Sequence, residues 1–506
     1  MDTHLRIIKN TLWLYVRMAA SILVNIFTTR ILLQALGTSD YGLYNVVGGT
    51  ISMLGFLTAS MSTATQRFIS YAEGQGDRER IKEIFNNAQL VHYGVATATT
   101  LLLIATAFIF FNGVLNIPEG SKNVAIVIYA CMVFSTVFSI IIVPYDATLN
   151  AHENMRFYSI AGIFDVVFKF GIALVVLFID SDRLLLYAIL MAAESWLLRA
   201  ITKYYCTRHY EECRHSEIRR YYNKSTIKQI TSFAGWNITN IATLMFSLYG
   251  VNIVINHFFG TELNAALGVA TQLSGVLMGV SMNMIKAITP VLVKKESSHH
   301  REQMLEITYT SCKFSFLLFS FFCFPVIFYI QPILDLWLHD VPNWTMVFCQ
   351  LMLIATLIDQ LTVFLFQSLQ AEGSIKQYSV VKSIVNLLPI AISIAMFATC
   401  TLGPYWALIN VIIAKGILGG ITNLYYCKKN IHLSLKGFFS KVIIPCLNIS
   451  LCSLILGYAL KQVNTSYWLA VLCVFFIVSV PCYWFLSLNR QERQTITNIV
   501  KKDKQH

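Results

Sequence analysis

The amino-acid sequence predicts an all-α integral membrane protein with about fourteen transmembrane helices. Of its 506 residues, 56% are hydrophobic and only 13% are charged, whereas soluble domains carry about 25% charged residues. The apolar runs reach the roughly 20 residues that a helix needs to cross a bilayer. They do not alternate with polar residues as strands do. Because a spanning segment must satisfy its own backbone hydrogen bonds, these runs are predicted to be helices.

Fourteen runs are predicted to span the membrane: 10–36, 41–71, 85–112, 123–146, 159–180, 184–206, 229–258, 264–290, 307–330, 344–370, 378–400, 405–427, 440–460 and 468–488. With both termini in the cytoplasm, the loops predicted to lie outside hold only Lys122, Arg183 and Lys461. This asymmetry fits the positive-inside rule. The net charge of +12 is therefore interpreted as a topology signal. Nucleic-acid binding is not expected, because the basic residues are scattered over many loops.

The chain contains an internal repeat with a shift of about 220 residues. LNAHENMRFYS at 149–159 matches LQAEGSIKQYS at 369–379, and LGTSDYGLYNVVGG at 36–49 matches FGTELNAALGVATQ at 259–272. Two further matches keep the same order: ITKYYC with ITNLYYC, and the acidic stretches RERIKEI and REQMLEI. Four ordered matches predict two parallel six-helix lobes, an arrangement typical of transporters.

The repeat divides the chain into four predicted parts. They are an N-lobe at 1–207, a cytoplasmic linker at 208–228, a C-lobe at 229–427, and two further spans with a cytoplasmic tail at 428–506. The linker is interpreted as a solvated segment that faces anionic headgroups. The repeated hinges are interpreted as ordinary inside turns, with Arg156 and Lys376 as positive-inside anchors.

Ionisable side chains inside the predicted spans are costly and indicate either function or internal pairing. Those within about six residues of a helix end can extend to the interface. The basic side chains expected to do so are Arg67, Lys286, Lys313, Lys382 and Lys441.

Five ionisable groups lie nearer the midplane and are candidate coupling or charge-pair residues: Asp165, Lys169, Glu194, Asp359 and Lys415. Asp165 and Lys169 are one helical turn apart and can pair with each other. In the repeat alignment Glu194 falls opposite Lys415, so the lobes carry opposite charges at equivalent positions. Because a buried carboxylate needs a partner or a proton, Asp359 and Lys415 are predicted to pair inside the second lobe.

Polar and small side chains share one face in three spans when they are projected at about 100° per residue. They are Arg17, Ser21, Asn25 and Thr28 in span one; Asn45, Gly49, Ser52, Thr63 and Arg67 in span two; and Gln272, Gly275, Gly279, Asn283 and Lys286 in span eight. Close helix packing explains Gly275 and Gly279, which have GxxxG spacing. Packing alone does not require Arg17, Asn283 and Lys286.

The functional interpretation of these faces is a water-filled cavity between the lobes, lined by spans one, two, seven and eight. Its predicted substrate-binding residues are Arg17, Asn25, Arg67, Asn283 and Lys286. Because Arg and Lys near the inside mouth favour phosphate, the cavity is expected to take an anionic substrate.

The opening NTLWLYVRMAASILVNIFTTRILLQALGTSDYGLYNVV resembles the start of the bacterial polysaccharide transporters. These are the Wzx-type flippases of the multidrug/oligosaccharidyl-lipid/polysaccharide (MOP) exporter superfamily. The turn built from Leu36, Gly37, Tyr41, Gly42 and Leu43 is similar to that family's pattern, as is the later loop with Leu149 and Ala151. The resemblance covers spans one to twelve and implies a MATE-like fold. The two last spans resemble those of the fourteen-span lipid II flippases.

The resemblance implies a flippase in the bacterial inner membrane. It would move undecaprenyl-diphosphate-linked oligosaccharide to the periplasmic leaflet by alternating access, for surface polysaccharide, lipopolysaccharide or O-antigen biosynthesis. Its partners would be this lipid-linked substrate, membrane lipids, a coupling H⁺ or Na⁺, and a polysaccharide polymerase. No cofactor is expected.

Other functions remain open at the level of sequence. A lipid II flippase is one, and a cation-coupled multidrug (MATE-type) exporter is another, for which Asp165, Glu194 and Asp359 could supply an acidic lumen. A membrane polymerase or ligase would need catalytic groups in a sizeable outside loop, but the longest, at 331–343, is short and the chain has no Ser/His/Asp constellation. The protein is therefore not expected to be an enzyme. The twelve cysteines form no CxxC pair, so no disulfide or metal site is expected.

Overall fold

The computed structural model describes residues 3–52, 55–109, 111, 122–179, 182–214, 217–338, 341–462, 467–490, 492–494 and 497. Every regular element within these ranges is helical, which confirms the predicted all-α class. The chain divides into two compact units, unit 1 at Met1–Ile238 and unit 2 at Thr239–His506. The boundaries predicted for the lobes and the linker remain predictions.

Unit 1 is built from long helices with short connections. They are α1 (Thr3–Ser52), α2 (Gly55–Gln75), α3 (Arg78–Ile109), α4 (Lys122–Ala151), α5 (Met155–Phe178), α6 (Arg183–His209), α7 (Ile218–Tyr221) and the first part of α8 (Lys224–Phe259). Helix α1 packs along α5, while α4 packs against α2, α3 and α6.

Unit 2 contains the rest of α8 and eleven further α-helices. They are α9 (Thr261–Ser297), α10 (Arg301–Phe328), α11 (Ile330–Trp337), α12 (Thr345–Gln360), α13 (Val363–Glu372), α14 (Lys376–Thr399), α15 (Trp406–Val411), α16 (Gly419–Ile431), α17 (Leu435–Phe438), α18 (Ile444–Lys461) and α19 (Trp468–Leu486). Two π-helical segments, Ile412–Leu418 and Phe439–Ile443, join α15 to α16 and α17 to α18.

Among the described residues, 12 helices are long and apolar enough to cross a membrane, or 13 if the bent pair α12–α13 counts as one span. The chain is therefore a multi-pass membrane protein. The predicted span 41–71 is not one of these helices. Helix α1 runs past a kink at Gly37 to Ser52, α2 begins at Gly55, and residues 53–54 lie outside the described ranges.

The internal repeat reappears in the conformation of the turns. Gly37 and Gly260, which the repeat aligns, have φ of 74° and 88° with ψ of 171° and −179°. Glu153 and Gly373, aligned in the two hinges, also have positive φ of 58° and 105°. Glycine adopts a positive φ without a steric clash because it has no Cβ. Glu153 adopts a positive φ as well, and its buried carboxylate lies 2.8 Å from the partly exposed Arg6.

The hinge after α4 contains an ionic cluster that the sequence interpretation missed. The imidazole of His152 donates to Glu212 at 2.6 Å and to Glu73 at 3.2 Å, and it stacks on Tyr210 with ring centroids 4.4 Å apart. These partners come from α2 and from the segment after α6. The hinge therefore ties three separate parts of unit 1 together, and it is more than an ordinary turn.

The segment 208–228 folds onto α3, apart from residues 215–216, which lie outside the described ranges. Glu83 accepts hydrogen bonds from Asn223 at 2.8 Å and from Thr226 at 2.6 Å. Asn87 donates to the carbonyl of Tyr221 at 2.7 Å. The segment is therefore attached to α3 at Tyr221, Asn223 and Thr226, while most of its other described side chains are half-buried or exposed. Its interpretation as a solvated linker stays a prediction.

The C-terminal helix pair is bound to α10. Lys313, expected to extend to the interface, is instead 4% exposed, and its ammonium lies 2.6 Å from the carboxylate of Glu492. Tyr483 and Ser320 share a hydrogen bond of 2.9 Å, and a Cβ at Gly457 would collide with the ring of Phe328. These contacts anchor α18, α19 and the start of the tail within unit 2.

We predict that His152 stabilises the protein in a pH-dependent way. Burial by itself would lower the pKa of His152, but hydrogen bonds with Glu212 and Glu73 outweigh it and raise the pKa from 6.5 to about 9. The contribution is complete below the unfolded pKa and is lost as pH rises through about 9. His152→Gln should therefore cost on the order of 2–3 kcal/mol at pH 6, measured by thermal unfolding in detergent.

The difference between the wild-type protein and His152→Gln should shrink as the pH approaches 10. His209→Gln is the matched control, because His209 is exposed and, among the described residues, its ring contacts only the carbonyl and ring of Tyr205. A His152→Gln cost that stays constant from pH 6 to pH 10 would contradict the assignment.

Candidate functional site

Unit 1 contains an open polar cavity of about 560 Å³ among its membrane-spanning helices. Two acidic and two basic side chains line it, Asp165, Glu194, Lys169 and Arg199, together with a set of smaller polar groups. These are Tyr44, Thr58, Thr99, Cys131, Ser135, Thr136, Ser139 and Ser195. The cavity can therefore hold both cationic and anionic groups and can hydrogen-bond neutral ones.

The charged groups of the cavity are partly paired. Lys169 lies 2.8 Å from Asp165, so the ion pair expected from their spacing is present. Glu194 is 5% exposed and interacts with Asp165, while its Oε1 has no hydrogen-bond partner in the described part of the chain. Two neighbouring carboxyl groups share a proton more readily than they both ionise. Glu194 is therefore suited to bind a proton or a small cation.

Arg199 is a cavity residue that the sequence interpretation missed. Its guanidinium donates to Ser139 of α4 at 2.9 Å. Arg199 lies toward the predicted inside end of its span, where an interfacial arginine is unremarkable. A sequence signal for the cavity was present in α4, where Ser135, Thr136 and Ser139 lie close together within a mostly apolar helix.

One face of α5 links Arg17 to the cavity. Tyr158, Gly162, Asp165 and Lys169 follow a spacing of four, three and four residues, which places them on one side of a helix. The guanidinium of Arg17 lies 4.6 Å from the centre of the Tyr158 ring, and its Nε occupies the space that a Cβ at Gly162 would take. The glycine thus allows α1 to bring a cation onto the polar face of α5.

Arg67 of α2 is held by aromatic rings. Its guanidinium lies 5.0 Å from the ring centre of Phe68, 5.5 Å from that of Tyr71 and 5.1 Å from that of Phe233. Such contacts attract a cation electrostatically and fix its position. Arg67 is half-buried, and whether its guanidinium reaches the interface stays a prediction.

The other residues of the three predicted polar faces differ in burial. Asn25 is exposed on α1, and Asn283 and Lys286 are half-buried on α9. A Cβ at Gly275 would meet nothing within 4 Å, so close helix packing does not explain this glycine. Three further residues were predicted on the polar face of span two: Asn45, Gly49 and Ser52. The structure does not describe their side-chain positions.

In unit 2, Asp359 and Lys415 form the predicted ion pair, with Oδ2 and Nζ 3.9 Å apart. Asp359 lies just before the break between α12 and α13, which are bent by 41°. Lys415 lies in the π-helical segment Ile412–Leu418. Helix breaks and π-segments are frequent at functional sites because they re-aim side chains.

The structure therefore brings Asp165, Lys169 and Glu194 together in unit 1 and brings Asp359 and Lys415 together in unit 2. Of the predicted substrate-binding residues, Arg17, Asn25 and Arg67 belong to unit 1, and Asn283 and Lys286 belong to unit 2. Their joint role in one binding site stays a prediction.

Comparison with known proteins agrees with this architecture. Residues 14–175 match the family model MatE. Over 100 residues the chain is 24% identical to the "Uncharacterized membrane protein EpsK" of Bacillus subtilis (strain 168). That stretch covers 20% of this chain and 20% of that protein, so the match spans about a fifth of the relative's length.

Solved structures share the fold over most of their length. One is MATE in complex with MaD3S, with a TM-score of 0.74, 11% identity, and coverage of 84% of this chain and 96% of that one. Another is an outward-facing multidrug resistance MATE family transporter of the MOP superfamily, with a TM-score of 0.72, 13% identity, and coverage of 84% and 95%.

A third similar structure is that of a MOP superfamily transporter from Pyrococcus furiosus, described by the words "reverse polarity of binding pocket suggests different function". Its TM-score is 0.66 at 12% identity, and the match covers 84% of this chain and 96% of that one. Residues 14–175 thus match the MatE family model, and the chain shares the fold of the MATE transporter structures.

We predict that exchanging the charges of Asp359 and Lys415 restores what either single change destroys. Asp359→Lys or Lys415→Asp alone places like charges side by side in a largely buried site, which should cost about 3 kcal/mol. The double variant rebuilds an ion pair and should regain most of this in thermal unfolding and in transport. The exposed pair Lys441–Glu306 is the matched control, whose exchange should cost less than about 1 kcal/mol.

A double variant no better than the worse single variant would show that the two residues act separately.

Proposed function

We propose that this protein is a flippase that translocates undecaprenyl-diphosphate-linked oligosaccharide across the bacterial inner membrane by alternating access. The observation that carries the proposal is Arg17, a fixed cation in a membrane-spanning helix that lies against an aromatic ring and a glycine. The MATE transporter fold supplies the architecture of a carrier, and the proposal adds the substrate.

Arg17 is suited to bind a diphosphate. In the described part of the chain no carboxylate lies within ion-pair distance of Arg17, and its guanidinium contacts Tyr158 instead. A guanidinium in this setting keeps its hydrogen-bond donors available for a phosphate, which it can bind through two parallel bonds. A charge inside the membrane is costly, and an anionic headgroup offsets this cost when it binds.

The other predicted substrate-binding residues complement Arg17 chemically. Within unit 1, Arg67 adds positive charge for the second phosphate, and it is held in place by three aromatic rings. The amide of Asn25, on the same helix as Arg17, can both donate to and accept from sugar hydroxyls. Hydroxyl and charged groups in the cavity of unit 1 offer further contacts of this kind.

The polarity of the pocket is a reasonable basis for choosing between substrates on this fold. For the Pyrococcus furiosus transporter, reversed pocket polarity is described as suggesting a different function. In the present chain, Arg17 and Arg67 favour an anionic substrate over a cationic drug. In this role the protein would act before a polysaccharide polymerase and would use H⁺ or Na⁺ for coupling.

We predict that Arg17→Ala lowers surface glycan by about tenfold or more while the protein stays in the membrane. The measurement is glycan output together with the amount of membrane-inserted protein in a strain that depends on this gene. Arg30→Ala is the matched control, since Arg30 is an exposed arginine of the same helix. Normal glycan output from Arg17→Ala would remove Arg17 from the site.

A second pair of variants tests the position of Arg17 without removing its charge. Gly162→Ala inserts a Cβ where the Arg17 Nε lies, so it should displace the guanidinium and reduce glycan output. Gly171→Ala on the same helix should have little effect, because its Cβ would meet nothing within 4 Å. Equal effects of the two alanines would contradict the placement.

A second candidate function, a cation-coupled multidrug exporter, is favoured by one specific observation. Glu194 presents an unpaired carboxylate oxygen beside Asp165 at a polar cavity, which is suited to bind a proton or Na⁺. In this case Glu194→Gln should abolish cation-driven dye efflux from proteoliposomes. Dye efflux that depends on Glu194, with surface glycan unchanged in a deletion strain, would favour the exporter.

A further inference from the structure

Lys382 is a buried cation in a membrane-spanning helix of unit 2. It lies in the second turn of α14 and is 9% exposed, so it does not extend to the interface as its position near the helix end predicts. Its ammonium lies against α16, where a Cβ at Gly419 would come within 2.5 Å of Lys382 Nζ. The glycine makes room for the ammonium beside the helix backbone.

Lys382 belongs to a cluster of three charges. It interacts electrostatically with both Asp359 and Lys415, whose own separation of 3.9 Å is longer than a hydrogen bond. Across the described residues, neither lysine ammonium has a hydrogen bond to a protein acceptor. With all three groups ionised, two cations face one carboxylate, and the cluster carries one uncompensated positive charge.

Polar groups lie next to Gly419 along α16. Gly420, next to Gly419, lies against Thr362 at the start of α13, where a Cβ would be 3.7 Å from the Thr362 hydroxyl. Asn423 donates to that hydroxyl at 3.1 Å and accepts from Tyr378 at 2.9 Å. The first turn of α13 begins at Thr362, and the N-terminal N–H groups of a helix favour negative charge.

We propose that Lys382 and Lys415 form a binding site in unit 2 for one small monovalent anion, of which chloride is the simplest. A buried ammonium with no counter-ion either gives up its proton or takes an anion. One negative charge would neutralise the cluster. The unused N–H donors of both lysines and the positive end of α13 would supply its ligands.

The charge balance favours an anion over a cation at this site. Asp359 already has the ammonium of Lys415 as its partner, and an added cation would raise the net charge of the cluster to two positive units. A doubly charged anion would overcompensate the single unpaired charge. The inference does not depend on the proposed function, because anion binding is measured without transport.

The test uses the full-length protein purified in detergent, with thermal unfolding followed at constant Na⁺ while gluconate is replaced by chloride. The melting temperature of the wild-type protein should rise and saturate with chloride. Lys382→Met should weaken the apparent chloride affinity by about tenfold or more. Lys382→Arg should keep the response, and Gly419→Ala should weaken it by crowding the ammonium.

Lys428→Met is the matched control, because Lys428 is an exposed lysine of α16, and it should respond to chloride like the wild-type protein. Crystals grown in bromide should show an anomalous peak beside Lys382 Nζ, which tests the site without any substitution. Equal melting temperatures in chloride and gluconate, together with no bromide peak, would overturn the proposal. A chloride response that persists unchanged in Lys382→Met would also overturn it.

Discussion

The structure depends on one constraint: each charge within a membrane-spanning helix must be paired, placed on an aromatic ring or given polar surroundings. Asp165 is paired with Lys169, and Lys313 is paired with Glu492 from the tail. Arg17 meets the constraint through Tyr158, and Gly162 provides the room. These requirements fix which helices approach one another and which faces they present.

The repeat shows how one architecture can hold two different electrostatic sites. Aligned turns keep the same backbone conformation, as Gly37 and Gly260 illustrate. At the aligned positions Glu194 and Lys415 the charge is opposite. Unit 1 holds a cavity with acidic and basic groups, and unit 2 holds the pair Asp359–Lys415 with Lys382 beside it. The break after Asp359 and the π-segment around Lys415 re-aim these side chains. The turns therefore preserve the fold, and the charges distinguish the sites.

Sequence reasoning predicted features whose causes are local. Apolar runs predicted most of the spans, glycine predicted the turn at Gly37, and helical spacing predicted the pair Asp165–Lys169. It missed contacts between residues that are distant in the chain. His152 looked like a turn residue because its partner Glu212 lies on another segment. Lys382 was predicted to extend to the interface because it lies near a helix end. Its contact with Gly419, which buries the ammonium, cannot be predicted from helical periodicity.

The central claim is that a fixed cation in unit 1 selects an anionic, lipid-linked substrate. The most direct measurement is translocation of undecaprenyl-diphosphate-linked oligosaccharide by the purified protein in proteoliposomes, followed by enzymatic access to the sugar from outside. The account predicts translocation that inorganic pyrophosphate competes away and that a cationic dye leaves unchanged. Failure to translocate the lipid-linked oligosaccharide, combined with gradient-driven transport of the dye, would contradict it.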